Sequence, residues 1–452
     1  MHLSFARIST QQLIRDFDLF FERFFHLRKK HSPLRKANFL TQSKVVYTKC
    51  KGNHSSSDAQ ALKAFRKILA AIHISEWPYA KFAGDVVKVV SAADRQLMLR
   101  PMFRVNVLQG NRQNGKPHIV LRAPLTHLSR YVVNPNTNST KYYEENIARV
   151  LYTYRNSSDA YKAARQIYGL EMALQELSYI DSSRTDSEVR TMTTIAALPN
   201  CDSWNWLRYF KRLFKTSDRT TPSTHVFVDD PAFFTKFTSI FNQEDRATTV
   251  ANYVGLKVLL TLWPFMPTAF HFAYKLTQDQ NMAPLDARLS ACSAMLERMY
   301  RYGVGIAAKL TASGEFADVY RRDRDEQLAA LFDETRTVVK ELLETGRSWF
   351  GPSDLERAVK TLNSMTFNFG TQHNFQQYEE YRKTPRLSLT SNASGLDAVL
   401  PIFSHASSLY WNAHATSLNS SRAYDNAYVT SVFDWDTEYQ PTNNHVFIPN
   451  AA

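Results

Sequence analysis

Apolar residues recur at three- and four-residue steps along most of this chain, the period of helices packed on one face. Ile147, Val150, Leu151 and Tyr154 form one stripe, and Ile167, Leu170, Leu174 and Leu177 form another. The polar run Asn156 to Asp159 separates them, so two helices joined by a short turn are predicted. Leu285, Leu289, Cys292, Leu296, Met299 and Gly303 extend the spacing into a long helix with Cys292 on its buried face. From Asp325, the residues Leu328, Leu331, Phe332, Val339 and Leu342 mark a further helix, with Gly346 as its stop. Ser353 with Glu356 three residues on, just after Pro352, has the form of a capping box and starts a helix through Val359 and Leu362. All of these stripes read as core packing, not as cofactor boxes.

One β signal interrupts the helices. Phe103 to Val107 and His118 to Arg122 alternate in residue type and flank Gly110 to Lys116, whose Gly, Asn and Pro residues suit a hairpin loop. The run Gly110 to Gly115 is too irregular to cradle a phosphate and reads as a turn. The most apolar stretch, Val258 to Leu276, contains Pro264, Pro267 and His271, so it predicts two core helices broken at the prolines and no membrane span. The fold class is therefore mainly α, a large multi-helix lobe with a small β-hairpin.

Composition narrows the function. The 452 residues are 44% hydrophobic, enough for one large core or two ordinary ones. Lys and Arg exceed Asp and Glu by 55 − 42 = 13. The excess is spread along the chain, with one dense cluster between Arg28 and Lys36, and no zinc-finger, RRM or KH pattern accompanies it, so a solvated basic surface is expected and no nucleic-acid partner. No apolar core of an export signal stands near Met1. No two of the thirteen histidines stand four residues apart, so no helical pair of zinc-binding imidazoles is available, and no metal ligands are assigned. Ser404 beside His405, with His414 nearby, lacks the G-x-S-x-G elbow of a serine hydrolase. Sequons at Asn53, Asn138, Asn156, Asn392 and Asn419 lean toward a secretory history. Of the three cysteines at least one is left unpaired within the chain.

The order of several short motifs resembles the neprilysin-like (neprilysin and endothelin-converting enzyme) zinc metallopeptidases. They are Tyr47 to Cys50, Trp77-Pro78, the hairpin, Tyr168 to Glu171, Asn252 to Val254, the Cys292 helix, and the closing run Tyr439, Pro441, Asn444, Val446, Ile448 and Pro449. The resemblance implies a two-lobed ectopeptidase in which a helical lobe roofs a cavity over a zinc lobe. It places the roof lobe at residues 1–387, and the truncated start of the catalytic lobe, an incomplete α/β portion with the substrate strand, at residues 388–452. It also implies a Cys50–Cys292 disulfide, with two buried free thiols as the alternative, and an extracellular or cell-surface location. Cys201 has no evident partner.

In that family a V-N-A-x-Y segment holds the peptide, and helices with H-E-x-x-H and E-x-x-x-D supply the zinc site. The matching segment here runs from Trp435 to Tyr439, so Asp436, Thr437 and Tyr439 are the substrate-binding candidates. Asp436 replaces an amide that both donates and accepts with a carboxylate that only accepts. Neither zinc motif is present, so no cofactor is expected in this chain, although zinc serves the complete family enzyme. The expected function is that of a metalloendopeptidase homologue, a fragment or degenerate copy that is inactive as it stands. The alternative is a non-catalytic secreted helical module that binds peptides or a protein. An incomplete zinc lobe should leave an apolar patch uncovered near Leu409, Tyr410, Trp411, Tyr428 and Val432, whereas a settled binding module should have that region packed or polar.

Overall fold

The computed structural model describes residues 38–52, 57–108, 118–128, 137–182, 191–215, 220–277, 282–310, 322–346, 350–369, 394–417, 438–440 and 444–448, together with Asp18. In chain order the helices and strands are α1 (Asn38–Lys51), α2 (Asp58–Ala71), α3 (Val86–Leu97), β1 (Arg104–Leu108), β2 (His118–Arg122), α4 (Thr137–Arg155), α5 (Ala160–Ser182) and β3 (Thr191–Thr194). Next come α6 (Trp206–Phe214), β4 (His225–Val228), α7 (Pro231–Lys236), α8 (Arg246–Leu262), α9 (Tyr274–Thr277) and α10 (Pro284–Leu310). The last are α11 (Arg322–Thr345), α12 (Pro352–Asn363), β5 (Thr366–Phe369), α13 (Gly395–Ser417), β6 (Glu438–Gln440) and β7 (His445–Ile448).

The chain is mainly helical, as its periodicity predicts. Helices α4 and α5 meet at Asn156, whose φ of 47° reverses the chain in the left-handed region that Asn tolerates. Ile147, Val150, Leu151, Ile167, Leu170 and Leu174 are all buried. Helix α8 stops before Pro264, and the two helical stretches Arg246–Phe265 and Thr268–Thr277 bend by 120° at the break. No single helix among the described residues is long and apolar enough to cross a membrane.

The hairpin forms with Arg104 opposite Arg122 and Leu108 opposite His118. It is half of a larger sheet of order β1-β2-β4-β3, with β4 parallel to β2 and antiparallel to β3. Phe103 leads into this sheet and anchors it, its ring 4.9 Å from Trp206 and 5.1 Å from Tyr209, all fully buried. A second sheet has the order β5-β7-β6, with β5 parallel and β6 antiparallel to β7.

Three local expectations are corrected. Helix α12 has no Ser353–Glu356 capping box: it begins at Pro352 behind Gly351, which makes no side-chain cap, because proline at the first helical position has the right φ and needs no donor. Leu285 is exposed, since it lies in the first turn of α10, ahead of the buried run Leu289, Cys292, Leu296 and Met299. Along α11 the apolar stripe is not core packing. Leu331, Val339 and Leu342 are exposed because α11 lies against α12 and β5 on one side alone among the described elements, where Phe332 stacks on Phe367 at 4.5 Å.

Two elements bridge residue 387. Strand β5 lies before it and pairs with β7 after it. Helix α13 lies after it, yet Leu396, Ala398, Val399, Ile402, Phe403 and Trp411 belong to the same buried core as α1, α2, α3 and α10.

Candidate functional site

Among the described residues β6 is an outer strand of its sheet, with no described strand beyond it, the geometry that accepts an added strand. Tyr439 lies opposite Val446 in the register and is 44% exposed. Its hydroxyl donates to Asn444 Oδ1 at 3.0 Å. Asn444 takes the left-handed turn between β6 and β7, with φ 50°. The same side chain donates through Nδ2 to Ser364 Oγ at 2.8 Å and to the carbonyl of Thr361, while the backbone carbonyl of Asn444 accepts from Thr366 N at 3.0 Å. One asparagine thus ties the end of α12, the start of β5 and the edge tyrosine together. Of the three substrate candidates, Tyr439 lies on β6, while Asp436 and Thr437 lie outside the described residues, as do Pro441 and Pro449 of the closing motif.

Several of the motifs spread along the helical part of the chain meet in space. The Trp77–Pro78 bond is cis, and the Trp77 indole donates to the carbonyl of Asn252 at 2.9 Å. Asn252 answers with its side chain, accepting from Tyr79 N at 2.7 Å and donating to the carbonyl of Tyr79 at 3.0 Å. Gly255, one turn on, leaves the space that the indole fills: a Cβ there would stand 2.2 Å from Trp77 Nε1. Glu171 on α5 is fully buried and accepts from the hydroxyls of Tyr143 on α4 and Tyr253 on α8, the latter at 2.8 Å, with Lys257 Nζ at 3.4 Å. Burial, and then the adjacent carboxylate, push the Tyr253 hydroxyl well above its ordinary pKa, so it stays protonated and donates to Glu171.

Asp94 is a second buried carboxylate, on α3. It accepts from Tyr209 OH and from Arg100 N, each at 2.6 Å, and burial raises its pKa to about 7 against the pull of those two bonds. The Trp411 indole donates to its backbone carbonyl at 3.2 Å, and Ser407 donates to the carbonyl of Arg95, so α13 docks on this end of α3. Both carboxylates are fully buried. Sequence reading left Asp94 out because a lone Asp in a helical stripe carries no signal until a tyrosine far along the chain is brought to it.

Cys50 and Cys292 are joined, with Cα atoms 5.8 Å apart, and tie α1 to α10 across 242 residues. Cys201 is a half-buried free thiol. Asn156 is exposed, Asn138 lies in α4, and Asn53, Asn392 and Asn419 fall outside the described residues. So do the basic cluster from Arg28 to Lys36 and the loop Gly110 to Lys116. Ser404 and His405 are consecutive on α13 and so point to different sides of the helix.

The family model described as Peptidase family M13 matches residues 21–372. The chain belongs to peptidase family M13. The fold agrees. The zinc metalloprotease Zmp1 of Mycobacterium tuberculosis, solved with an inhibitor, superposes with a TM-score of 0.67 at 14% identity, over 98% of this chain and 63% of that one. PepO from Lactobacillus rhamnosis superposes with a TM-score of 0.65 at 12% identity, over 99% of this chain and 66% of that one. This M13 chain therefore spans just under two thirds of the length of these solved relatives. No curated protein matches it in sequence.

Among the described residues, no group of three or more His, Cys, Asp or Glu is gathered as a metal ion requires. The described part of this M13 chain thus does not fit the zinc named for Zmp1.

Proposed function

We propose that this chain forms the roof of an M13 peptidase together with the strand on which its peptide substrate lies, and that these 452 residues do not themselves hydrolyse peptides. The terminal position of β6, with Tyr439 exposed on it, carries the reading. A peptide adding along that edge is held by main-chain hydrogen bonds, with its alternate side chains directed to either face. Asp436 and Thr437, the two residues that precede β6 in the sequence, are the further candidates for that contact. Asp436 brings a negative charge that favours a peptide whose nearby groups donate hydrogen bonds or carry positive charge. The absence of any histidine pair at helical spacing in the sequence supports the lack of hydrolysis. The disulfide, a feature of oxidising compartments, supports an extracellular or cell-surface location, and exposed Asn156 is open to glycosylation there.

The purified chain is expected to cleave no peptide and to retain no stoichiometric zinc. Chelator-sensitive peptidase activity would overturn this. Calorimetry should detect binding of an extended peptide, and methylation of its alternate amide nitrogens should abolish it; equal binding of both forms removes β6 as the docking edge.

One observation favours a second reading, a non-catalytic secreted module for peptides or a protein partner. Trp411 is fully buried, its ring 5.8 Å from that of Phe214, and Tyr410 is half-buried, so this part of α13 is packed. Leu409, Tyr428 and Val432, the rest of that test region, have no described side chains. Sequencing the transcript past the Ala452 codon separates the readings. A following H-E-x-x-H helix supports the first and a stop codon the second.

A further inference from the structure

Helix α6 is divided cleanly. Trp206, Tyr209, Phe210, Leu213 and Phe214 are buried, while Arg208, Lys211, Arg212 and the C-cap Lys215 occupy the other face without an acidic residue among them. Four cations at these steps span roughly 10 Å, at 1.5 Å per residue. The stripe runs into a concavity of about 350 Å³ whose lining includes His73, Tyr79, Phe82, Asp85 and Lys88. Burial, and then the like charges of Lys88 and Arg212, lower the pKa of His73, so these two cations face one imidazole from separate elements. Asp85 answers part of the charge, 3.1 Å from Arg212 and 3.7 Å from Arg208. Five cations against this one carboxylate leave a strong local excess.

We infer that this face binds a sulfated polysaccharide, with sulfates along the α6 stripe and a sugar ring in the concavity against Tyr79 and Phe82. Three observations select that occupant. The stripe presents no exposed apolar side chain to insert into a bilayer, which an interfacial helix requires. The concavity is of small-ligand size and its rings, 5.0 Å apart and half-buried, offer a face to a sugar. The Cys50–Cys292 disulfide suits an oxidising compartment, where sulfated glycans are the abundant polyanions and nucleic acids are not.

The test is retention of the full chain on immobilised heparin across a salt series. A patch variant carries Lys88→Gln, Lys211→Gln and Lys215→Asn, the asparagine suiting the left-handed φ of 51° at that position. A control variant carries Lys162→Gln, Lys236→Gln and Lys360→Gln, three exposed lysines elsewhere with the same change in net charge. The patch variant should elute at clearly lower salt. Its log-affinity against log-salt slope should fall by about two, at roughly 0.7 per lost contact on a flexible polyanion, while the control keeps the slope of the parent. Equal shifts in both variants would overturn the inference, as would equal retention on desulfated heparin or tighter binding to phosphatidylserine vesicles than to heparin.

Discussion

Changing Asp94 to asparagine isolates a buried proton and gives the most direct check on the core. The carboxyl is wholly enclosed and titrates near pH 7 in the folded chain, against 3.8 for the free group. Between those limits the folded protein holds a proton that the unfolded chain has released. Raising the pH therefore favours the unfolded state, the opposite of a salt-bridged carboxylate. Three pH units at 1.36 kcal/mol each put the effect on the order of 4 kcal/mol, fully lost once the pH passes about 7. The asparagine side chain fits the same site, because its carbonyl can accept from Arg100 N, and the Tyr209 hydroxyl can turn to accept from the amide. Urea unfolding followed by tryptophan fluorescence, at steps from pH 4 to 8, should show Asp94→Asn and the parent similar near pH 4. The variant should gain steadily toward pH 7. Difference infrared spectra at pH 6 should show a protonated carboxyl band that the variant lacks. Parallel stability curves across that range, or an unchanged infrared band, would refute the reasoning.

Cys50→Ser should lower stability by about 4 to 5 kcal/mol in the chain-entropy account, given the long loop that the bond closes, and a reductant should shift the melting temperature of the parent but not of the variant. Gly255→Ala places a methyl group inside the Trp77 indole and should cost about 1–3 kcal/mol, read as a lowered urea midpoint with a shift in tryptophan emission. Glu171→Ala removes the buried carboxylate that accepts from the Tyr143 and Tyr253 hydroxyls and pairs with Lys257, and should cost about 3–5 kcal/mol by chemical denaturation. Asn444→Ala removes the ties to Ser364 and Tyr439 and should speed hydrogen exchange in β5 and β7 while leaving the roof helices unchanged.

Helices were legible because their stripes are local: Ile147 to Tyr154 and Ile167 to Leu177 meet their partners within one helix pair. The hairpin was legible for the same reason, since both strands alternate and stand close together in the chain. Strands β3 and β4 were not. Thr191 to Thr194 and His225 to Val228 are four residues each, too short to show a period, and they join the sheet by pairing to one another and to β2 across long connections. The exposed stripe of α11 misled in the other direction. Periodicity records which face of a helix is apolar, not whether anything covers it. In the candidate site, Tyr439 and Asn444 were both singled out from the closing motif, but the bonds of Asn444 to Thr361 and Ser364 depend on the loop between distant elements and have no sequence signature.

The quoted motifs explain why family membership could be read so far ahead of activity. Trp77, Asn252, Glu171 and Tyr253 are tied by direct bonds, Trp77 to Asn252 and Glu171 to Tyr253, and each is buried. Their spacing is constrained by packing: a residue that must bridge α5 and α8, or fill the notch at Gly255, cannot drift without disturbing the core. A chain can therefore keep every one of these positions and still differ at the groups that meet substrate. The match to M13 ends at residue 372, just past β5 and before β6, so it rests almost wholly on such scaffold positions. Activity has to be argued from other groups, because these scaffold positions would look the same beside a working zinc site or beside none.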